Sequence, residues 1–197
     1  SERPRVDAVS PIRDEGFASP VASVSAILNQ PIEPSSVADR FSLFDKNKTK
    51  VPGRVVVSGK TVGFYPHKPL TREERYEAVI VQGVASIEGP NGMEADHVWS
   101  FGVAAAPAII STSPADGEQD VSQEHYIEVE FKTPMDEESF QNNVFISPAP
   151  ERKPSLNFSY HNRNTLTIGT YLGRSTEYTV TIGQHAKDQY GIPLGKP

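Results

Sequence analysis

The sequence of 197 residues contains no cysteine. This absence excludes thiolate zinc sites, cysteine nucleophiles and a disulfide-linked scaffold. Aromatic residues make up only 9% of the chain, whereas 17 prolines and 14 glycines interrupt it. Such a composition is typical of a turn-rich β protein and disfavours long helices. No run approaches about 18 consecutive apolar residues, so the sequence predicts no membrane span.

Basic residues are also in short supply. The chain has 19 lysines and arginines against 25 aspartates and glutamates, a formal net charge of −6. This balance excludes a basic surface for nucleic acid or for an anionic membrane. The first eleven residues, SERPRVDAVSP, lack the apolar core of a signal peptide. Two alternatives follow: an intracellular protein, or an exported protein whose leader lies outside this segment.

Sequence signatures of catalysis are missing as well. The chain contains no nucleophile-elbow motif, no P-loop and no dinucleotide-binding glycine motif. Its histidines do not pair at the spacings of compact metal motifs; they are His67, His97, His125, His161 and His185. We therefore predict no catalytic residue, no cofactor-binding residue and no enzymatic activity.

What the chain does contain is an internal repeat. Six segments recur in the same order at an offset of 103 residues that falls to 99 at Gly92 and Gly191, which indicates a tandem duplication. The boundary falls near the small-residue run VAAAP, so the predicted domains are residues 1–104 and 105–197. The matched segments are 9–17 with 112–121, 23–37 with 126–140, 40–44 with 143–147, 60–66 with 164–170, 69–83 with 171–184, and 89–93 with 189–194.

Both copies carry the period-2 pattern of half-buried strands. Ile127, Val129 and Phe131, for example, alternate with two glutamates, and turn residues separate the short strands. Units of about 100 residues with this pattern predict an all-β fold of two β-sandwiches. A tyrosine also recurs six residues after a leucine in each copy, as Tyr76 and Tyr178. These are either tyrosine corners, with the hydroxyl bonded to backbone across a loop, or ordinary core tyrosines.

One acidic stretch, TPMDEESF at residues 133–140, raises the question of a metal loop or a catalytic acid pair. The same slot in the first copy is QPIEPSSV, residues 30–37. Only Asp136 has an acidic counterpart there, Glu33. What recurs is a proline, an apolar residue, one acid and small polar residues before an apolar anchor. This pattern predicts a one-turn helix after a strand, with the acid capping its first N–H groups.

Four segments of the second copy, SPADGEQDV, FKTPMDEESF, LGRSTEYTVTI and KDQYGIPL, resemble the bacterial Ig-like domains of the S-layer type, and the first copy is a degenerate version. The resemblance implies two tandem Ig-like Greek-key β-sandwiches. It also implies a non-catalytic structural, spacer or interaction module of a larger exported bacterial surface protein, at the cell surface or outside the cell. The partners would be neighbouring domains of the same chain.

Two other functions remain open at this point. The module could bind a carbohydrate or a protein in adhesion, assisted by calcium, or it could be an accessory part of a multidomain hydrolase or a macroglobulin-like protein. The low-priority calcium candidates are Asp116 and Asp120 in DGEQD, and Asp188 in a second acidic loop. Calcium requires six to eight oxygen ligands, usually with several carboxylates. Turn formation is the other explanation for these aspartates.

The second copy is expected to lack its last strand. In the first copy Trp99, in the strand HVWSF, lies seven residues after Gly92, and seven residues after Gly191 is position 198. A sandwich without this strand exposes an unpaired edge. The strand would come either from the continuation of a longer protein or from a partner that donates it.

Overall fold

A computed structural model describes residues 2–123 and 126–197. The chain divides into two compact units, Ser1–Ala104 and Ala105–Pro197, called unit 1 and unit 2 below. Each unit is built from antiparallel strands, as the alternating patterns predict. Among the residues described, no helix is long and apolar enough to cross a membrane.

Unit 1 has two main sheets. Its four-stranded sheet has the order β1-β2-β5-β4, its three-stranded sheet has the order β3-β6-β9, and β7 and β8 form a short hairpin. The chain changes sheet after β2, after β3 and after β5, which is the Greek-key path of a sandwich. The elements are β1 Val6–Ser10, β2 Val24–Leu28, helix α1 Pro34–Val37, β3 Phe41–Phe44, β4 Gly53–Ser58, β5 Thr61–Pro66, β6 Arg75–Ile80, β7 Ala85–Ser86, β8 Gly89–Gly92 and β9 His97–Gly102.

Unit 2 repeats this plan with fewer described strands. Its four-stranded sheet has the order β10-β11-β14-β13, and its second sheet consists of β12 and β15. A single 3₁₀ turn, Glu137–Phe140, stands where unit 1 has α1. The strands are β10 Ile109–Ser113, β11 Tyr126–Phe131, β12 Val144–Ser147, β13 Ser155–Phe158, β14 Thr165–Gly169 and β15 Thr179–Ile182.

The core of unit 1 lies between its two sheets. Phe41 of β3 meets Phe64 of β5 from the opposite sheet, with ring centroids 5.9 Å apart. Phe41 also contacts Trp99 of β9, again at 5.9 Å. Trp99 and Phe101 point inward, with 1% and 0% of their surfaces exposed, whereas Val98 between them is 39% exposed. The alternation in HVWSF therefore translates directly into one buried and one solvent-facing side of β9.

Unit 2 has a smaller core centred on three phenylalanines. Phe140 packs edge-on against Phe131 at 5.4 Å and against Phe158 at 4.9 Å. Phe131 and Phe140 are fully buried. The last residue of the acidic stretch is thus the anchor that holds the 3₁₀ turn on the core.

The repeat extends to details of hydrogen bonding. In both units the first strand has a bulge at the same place, between Val6 and Ala8 and between Ile109 and Ser111. The pairing of Gly92 with Gly191 from the sequence is wrong. The N–H of Met93 donates to Val84 O at 2.9 Å and that of Leu194 donates to Ala186 O at 2.8 Å, which sets the offset there at 101 to 102.

Both predicted tyrosine corners are present. The Tyr76 hydroxyl accepts a hydrogen bond from Thr71 N at 2.9 Å, and the Tyr178 hydroxyl accepts one from Gly173 N at 2.8 Å. Each bond closes the loop that leads into β6 or β15. The corner hypothesis is confirmed in both copies.

Replacing Tyr76 with phenylalanine is expected to lower the free energy of unfolding of unit 1 by about 1–3 kcal/mol, because a partly buried N–H loses its acceptor. Tyr178→Phe should cost less than about 1 kcal/mol, since Gly173 is exposed and water can replace the hydroxyl. Urea titrations followed by circular dichroism measure both changes. Tyr65→Phe, at an exposed tyrosine, is the matched control, and an equal loss there would contradict the corner.

Candidate functional site

The acidic stretch of unit 2 forms a loop closure. Asp136 stands at the start of the 3₁₀ turn but its side chain makes no capping hydrogen bond; its carboxylate lies 3.7 Å from the Lys187 ammonium. The predicted cap is therefore wrong in unit 2. In unit 1 the counterpart Glu33 does accept from Ser35 N, at 3.4 Å.

The group common to both loops is a serine hydroxyl. Ser139 Oγ donates to Asp136 O at 2.7 Å and accepts from Lys187 N at 3.1 Å. Ser36 Oγ donates to Glu33 O at 2.7 Å and accepts from Ala85 N at 2.9 Å. One hydroxyl thus joins the short helical turn to a distant segment in each unit. This serine occurs in both copies of the repeat, so it could have been identified from the sequence. The neighbouring carboxylates were considered as the functional candidates instead.

A second side chain completes each closure. Arg40 Nη1 donates to Ser36 O and Asn143 Nδ2 donates to Ser139 O, both at 2.8 Å. The remaining acids, Glu137 and Glu138, are exposed. Hydrogen bonds therefore fix the short helical turn to the rest of its unit, and the loop has a structural role.

The three calcium candidates lie in different environments. Asp116 and Asp120 are exposed in the loop after β10. Asp188 is 1% exposed, and its Oδ1 accepts from Tyr190 N at 2.9 Å and from Ile192 N at 2.8 Å. Within residues 2–123 and 126–197, no three histidine, aspartate or glutamate side chains come close enough to hold a metal ion. Asp188 therefore has a structural role in its own loop.

Calcium is expected to leave the melting temperature of unit 2 unchanged, whereas Asp188→Ala should cost about 1–3 kcal/mol with calcium or with EDTA. The cost arises because two backbone N–H groups lose their buried acceptor. The double substitution Asp116→Asn and Asp120→Asn should change stability by less than about 0.5 kcal/mol. A calcium-dependent rise in melting temperature that the double substitution removes would contradict this expectation.

The four histidines that the structure describes do not form a cluster with one another or with acidic residues that could hold a metal ion. His67 lines a shallow depression, His161 packs edge-on against Tyr160 at 5.5 Å, and His185 is exposed. His125 lies outside the described residues. His97 packs against the Trp99 ring at 5.6 Å. Burial, and then the nearby charge of Arg13, lower the pKa of His97 from its ordinary value of 6.5.

Unit 1 is expected to lose stability as the pH falls below 6.5 and through the lower folded-state pKa of His97. The unfolded chain binds a proton at this residue at higher pH than the folded chain does, so acidification favours unfolding. Melting temperatures between pH 7.5 and pH 5, compared between the natural chain and His97→Gln, measure the effect. An unchanged pH profile in the substituted protein would show that other groups are responsible.

The described surface offers shallow depressions and several exposed aromatic side chains. One depression of about 170 Å³ is lined by Pro20, Val21 and His67 among others, and one of about 500 Å³ by Asp136, Arg163 and Lys187 among others. Both are open to solvent. Neither encloses a small molecule in the manner of a cofactor pocket.

One of the exposed aromatic side chains, that of Tyr65 on β5, packs over a glycine. Phe64 is 3% exposed and Tyr65 40%, because successive side chains of a strand point to opposite faces. The Tyr65 ring lies over Gly63, where an added Cβ would come within 2.9 Å of Cε2, and the Arg54 guanidinium lies 5.2 Å from the ring centroid. Gly63 thus makes room for the ring, and the ring covers the glycine backbone.

The solved structures to which this chain is similar include parts of a bacterial S-layer protein. The N-terminal part of the bacterial S-layer protein SbsC is 16% identical, with a TM-score of 0.41, over 98% of this chain and 43% of that one. A larger part of the S-layer protein, rSbsC(31-844), is 15% identical, with a TM-score of 0.40, over 92% of this chain and 24% of that one. The chain therefore spans less than half of these proteins. No curated protein sequence matches it.

The family model of the bacterial Ig-like domain matches the chain twice, at residues 1–103 and 103–197. Together the two matches extend over the whole sequence, and they meet at residue 103, within two residues of the boundary between the two compact units. The chain therefore belongs to the bacterial Ig-like domain family and carries two copies of that domain in tandem.

Proposed function

We propose that the chain is a non-catalytic structural module of a larger exported bacterial surface protein, where it spaces and supports neighbouring domains. One observation carries this proposal: the polar side chains that could suggest chemistry hold loops instead, and two of them, Ser36 and Ser139, do so at equivalent places in the two units. Ser36 and Ser139 tie the short helical turns, and Asp188 accepts from the backbone of its own loop. Family membership supports the same function.

The mechanical part of this function rests on the antiparallel ladders. In unit 1, β6 is paired on both sides: β9 pairs with all six of its residues, and β3 pairs with the four residues from Glu77 to Ile80. A pulling force along the strands must shear several hydrogen bonds at once. Each sandwich should therefore resist extension as one body and unfold in one step.

Stretching single molecules tests this directly. We expect two separate unfolding steps, which lengthen the chain by up to about 340–370 Å for unit 1 and about 310–330 Å for unit 2, at 3.3–3.6 Å per extended residue. Continuous lengthening at low force, without discrete steps, would overturn the structural function.

The place of this module in a larger protein has a separate test. Intact mass and sequencing of the native polypeptide should find a longer, exported chain with further domains. A catalytic or thioester-bearing neighbour would instead favour the accessory role in a hydrolase or a macroglobulin-like protein.

Ligand binding is tested at Tyr65. A glycan array and a screen of surface proteins should give no signal that Tyr65→Ala abolishes, because the ring is held by Gly63 and Arg54. Saturable binding that depends on this tyrosine would replace the structural proposal with an adhesion function.

A further inference from the structure

Hydrogen bonds between backbone groups hold three loops of unit 2 together. The loops are the turn after β11, the connection from β13 to β14 (residues 159–164) and the segment after β15. Met135 N in the turn donates to Arg163 O at 2.8 Å, and the next N–H, that of Asp136, donates to Lys187 O at 3.0 Å. Two consecutive residues of one turn therefore fix the positions of two cationic residues, Arg163 and Lys187.

Unit 1 has the same backbone bonds without the cations. Ile32 N donates to Gly59 O, and the N–H of the following residue donates to Ala85 O, each at 2.9 Å. The two acceptors are thus a glycine and an alanine, whereas the equivalent acceptors of unit 2 belong to Arg163 and Lys187. Since the loops of unit 1 close with these small residues, loop closure does not require positive side chains.

Arg163 also adopts a backbone conformation that suits glycine better. Its φ angle is 49°, and that of its counterpart Gly59 is 57°. In this left-handed region a Cβ carries a steric cost that glycine avoids. Within the residues described, no hydrogen bond or ion pair of the Arg163 guanidinium offsets that cost. Such strained positions concentrate at functional sites, so a role in binding explains the arginine better than a role in folding.

Both cations line the depression of about 500 Å³ in unit 2, which is open to solvent. Its wall also includes Asp136, Asp188 and Tyr190. The Lys187 ammonium lies 3.7 Å from the Asp136 carboxylate, and the Asp188 carboxylate accepts hydrogen bonds from the backbone of its own loop. Among the described residues of this wall, the positive charge of Arg163 has no acidic partner.

A guanidinium in this position suits an oxyanion. Its planar N–H donors match two oxygens of a carboxylate or phosphate group, and the ammonium of Lys187 adds a second positive charge. The depression is too open to enclose a whole ligand, so the anionic group belongs to a molecule that extends into solvent.

The surroundings favour a sugar over a peptide as the carrier of this group. Tyr190 lines the depression, and Tyr160, in the same connection as Arg163, is 92% exposed. Aromatic rings offer flat apolar faces against which the C–H groups of a sugar pack, while the tyrosine hydroxyl remains free to form hydrogen bonds. The backbone N–H groups of Met135 and Asp136 are already bonded within the loops, so they offer no ladder to an extended peptide.

We propose that this loop surface of unit 2 binds an acidic sugar, whose carboxylate or phosphate group lies against Arg163 and Lys187 and whose ring packs on tyrosine. Unit 1, with small residues at the equivalent places, lacks the site. One of the two tandem domains thus has a binding function in addition to its structural one.

Titration of the whole chain, followed by NMR, tests the proposal with three probes. Oligogalacturonate carries the carboxylate, glucose 6-phosphate carries the phosphate, and fully methyl-esterified oligogalacturonate carries neither charge. We expect at least one acidic probe to saturate with a dissociation constant on the order of 1 mM, with shifted amides in residues 160–164 and 187–191. The neutral ester should bind at least about tenfold more weakly, because it forms no charge-assisted hydrogen bond. The better acidic probe identifies the anionic group.

Arg163→Gly gives unit 2 the residue that unit 1 has at this place. It should weaken binding at least about tenfold and shift the melting temperature of unit 2 by no more than about 4 °C. Arg152→Gly is the matched control, since it removes the same charge from an exposed arginine in the connection from β12 to β13 and should leave the affinity unchanged.

Four results would overturn the proposal. They are the absence of saturation by both acidic probes up to about 10 mM, equal binding of the ester, equal weakening by Arg152→Gly, and loss of the fold in Arg163→Gly, which would make the arginine structural. Polyglutamate is added as a further arm. Tighter binding of polyglutamate than of either sugar would indicate an acidic protein partner and overturn the assignment to a sugar.

Discussion

Replacing Trp99 with alanine is expected to lower the free energy of unfolding of unit 1 by about 3–5 kcal/mol, the range for truncating a large buried aromatic side chain. Trp99 is 1% exposed and contacts Phe41 at 5.9 Å. Its indole Nε1 donates to Pro11 O at 3.1 Å across 88 positions of sequence. The substitution therefore opens a cavity and leaves a carbonyl without its donor.

Val98→Ala is the matched control, because Val98 belongs to the same strand and is 39% exposed. This substitution should lower the free energy of unfolding of unit 1 by no more than about 1 kcal/mol, since it removes little buried apolar surface. Urea titration followed by circular dichroism, with hydrogen exchange to assign the affected unit, measures both. Equal losses for the two variants would mean that β9 stabilises unit 1 through its backbone pairing with β6 and not through its buried aromatic side chains.

Replacing Phe140 with alanine is expected to leave unit 2 only marginally stable and to leave the stability of unit 1 unchanged. Phe140 is fully buried between Phe131 and Phe158, and its truncation should cost about 3–5 kcal/mol. Small domains have a total stability of only about 5–15 kcal/mol. The buried cluster of unit 2 is the smaller of the two, so this loss removes most of its margin.

The control within the same unit is Phe145→Ala. Phe145 lies on β12 and is 55% exposed, so its truncation should be nearly neutral. Hydrogen exchange resolved by segment separates the units: Phe140→Ala should release the amides of β11 and β14 and spare those of β6. Loss of protection in both units together would contradict independent folding of the two domains.

The parts of this structure that are predictable from sequence follow from periodicity and repetition. The alternation of Ile127, Val129 and Phe131 with glutamates predicted a half-buried strand, and all three apolar side chains are buried, because a strand turns successive side chains to opposite faces. Comparing the two copies also removed the carboxylates of 133–140 from the candidate sites. The spacing of Leu and Tyr predicted corners that hydrogen bonds confirm at Tyr76 and Tyr178.

The remaining details depend on contacts between residues far apart in sequence. Asp136 was expected to cap a helix, but Lys187, 51 positions later, attracts its carboxylate. Ser139 links the turn to a distant segment only because Lys187 N donates a hydrogen bond to its hydroxyl. The burial of Asp188 follows from how its loop folds over its own carboxylate. None of these partners can be identified from local sequence patterns, since each contact forms only when the chain folds and brings the two residues together.

The placement of the aromatic residues gives the chain its own optical reporter. Trp99 is the one tryptophan in the sequence, and it is enclosed in unit 1. Indole emission therefore follows unit 1 alone, whereas the far-ultraviolet signal sums both domains. Denaturation followed by both signals will show, without any attached dye, which of the two domains unfolds first.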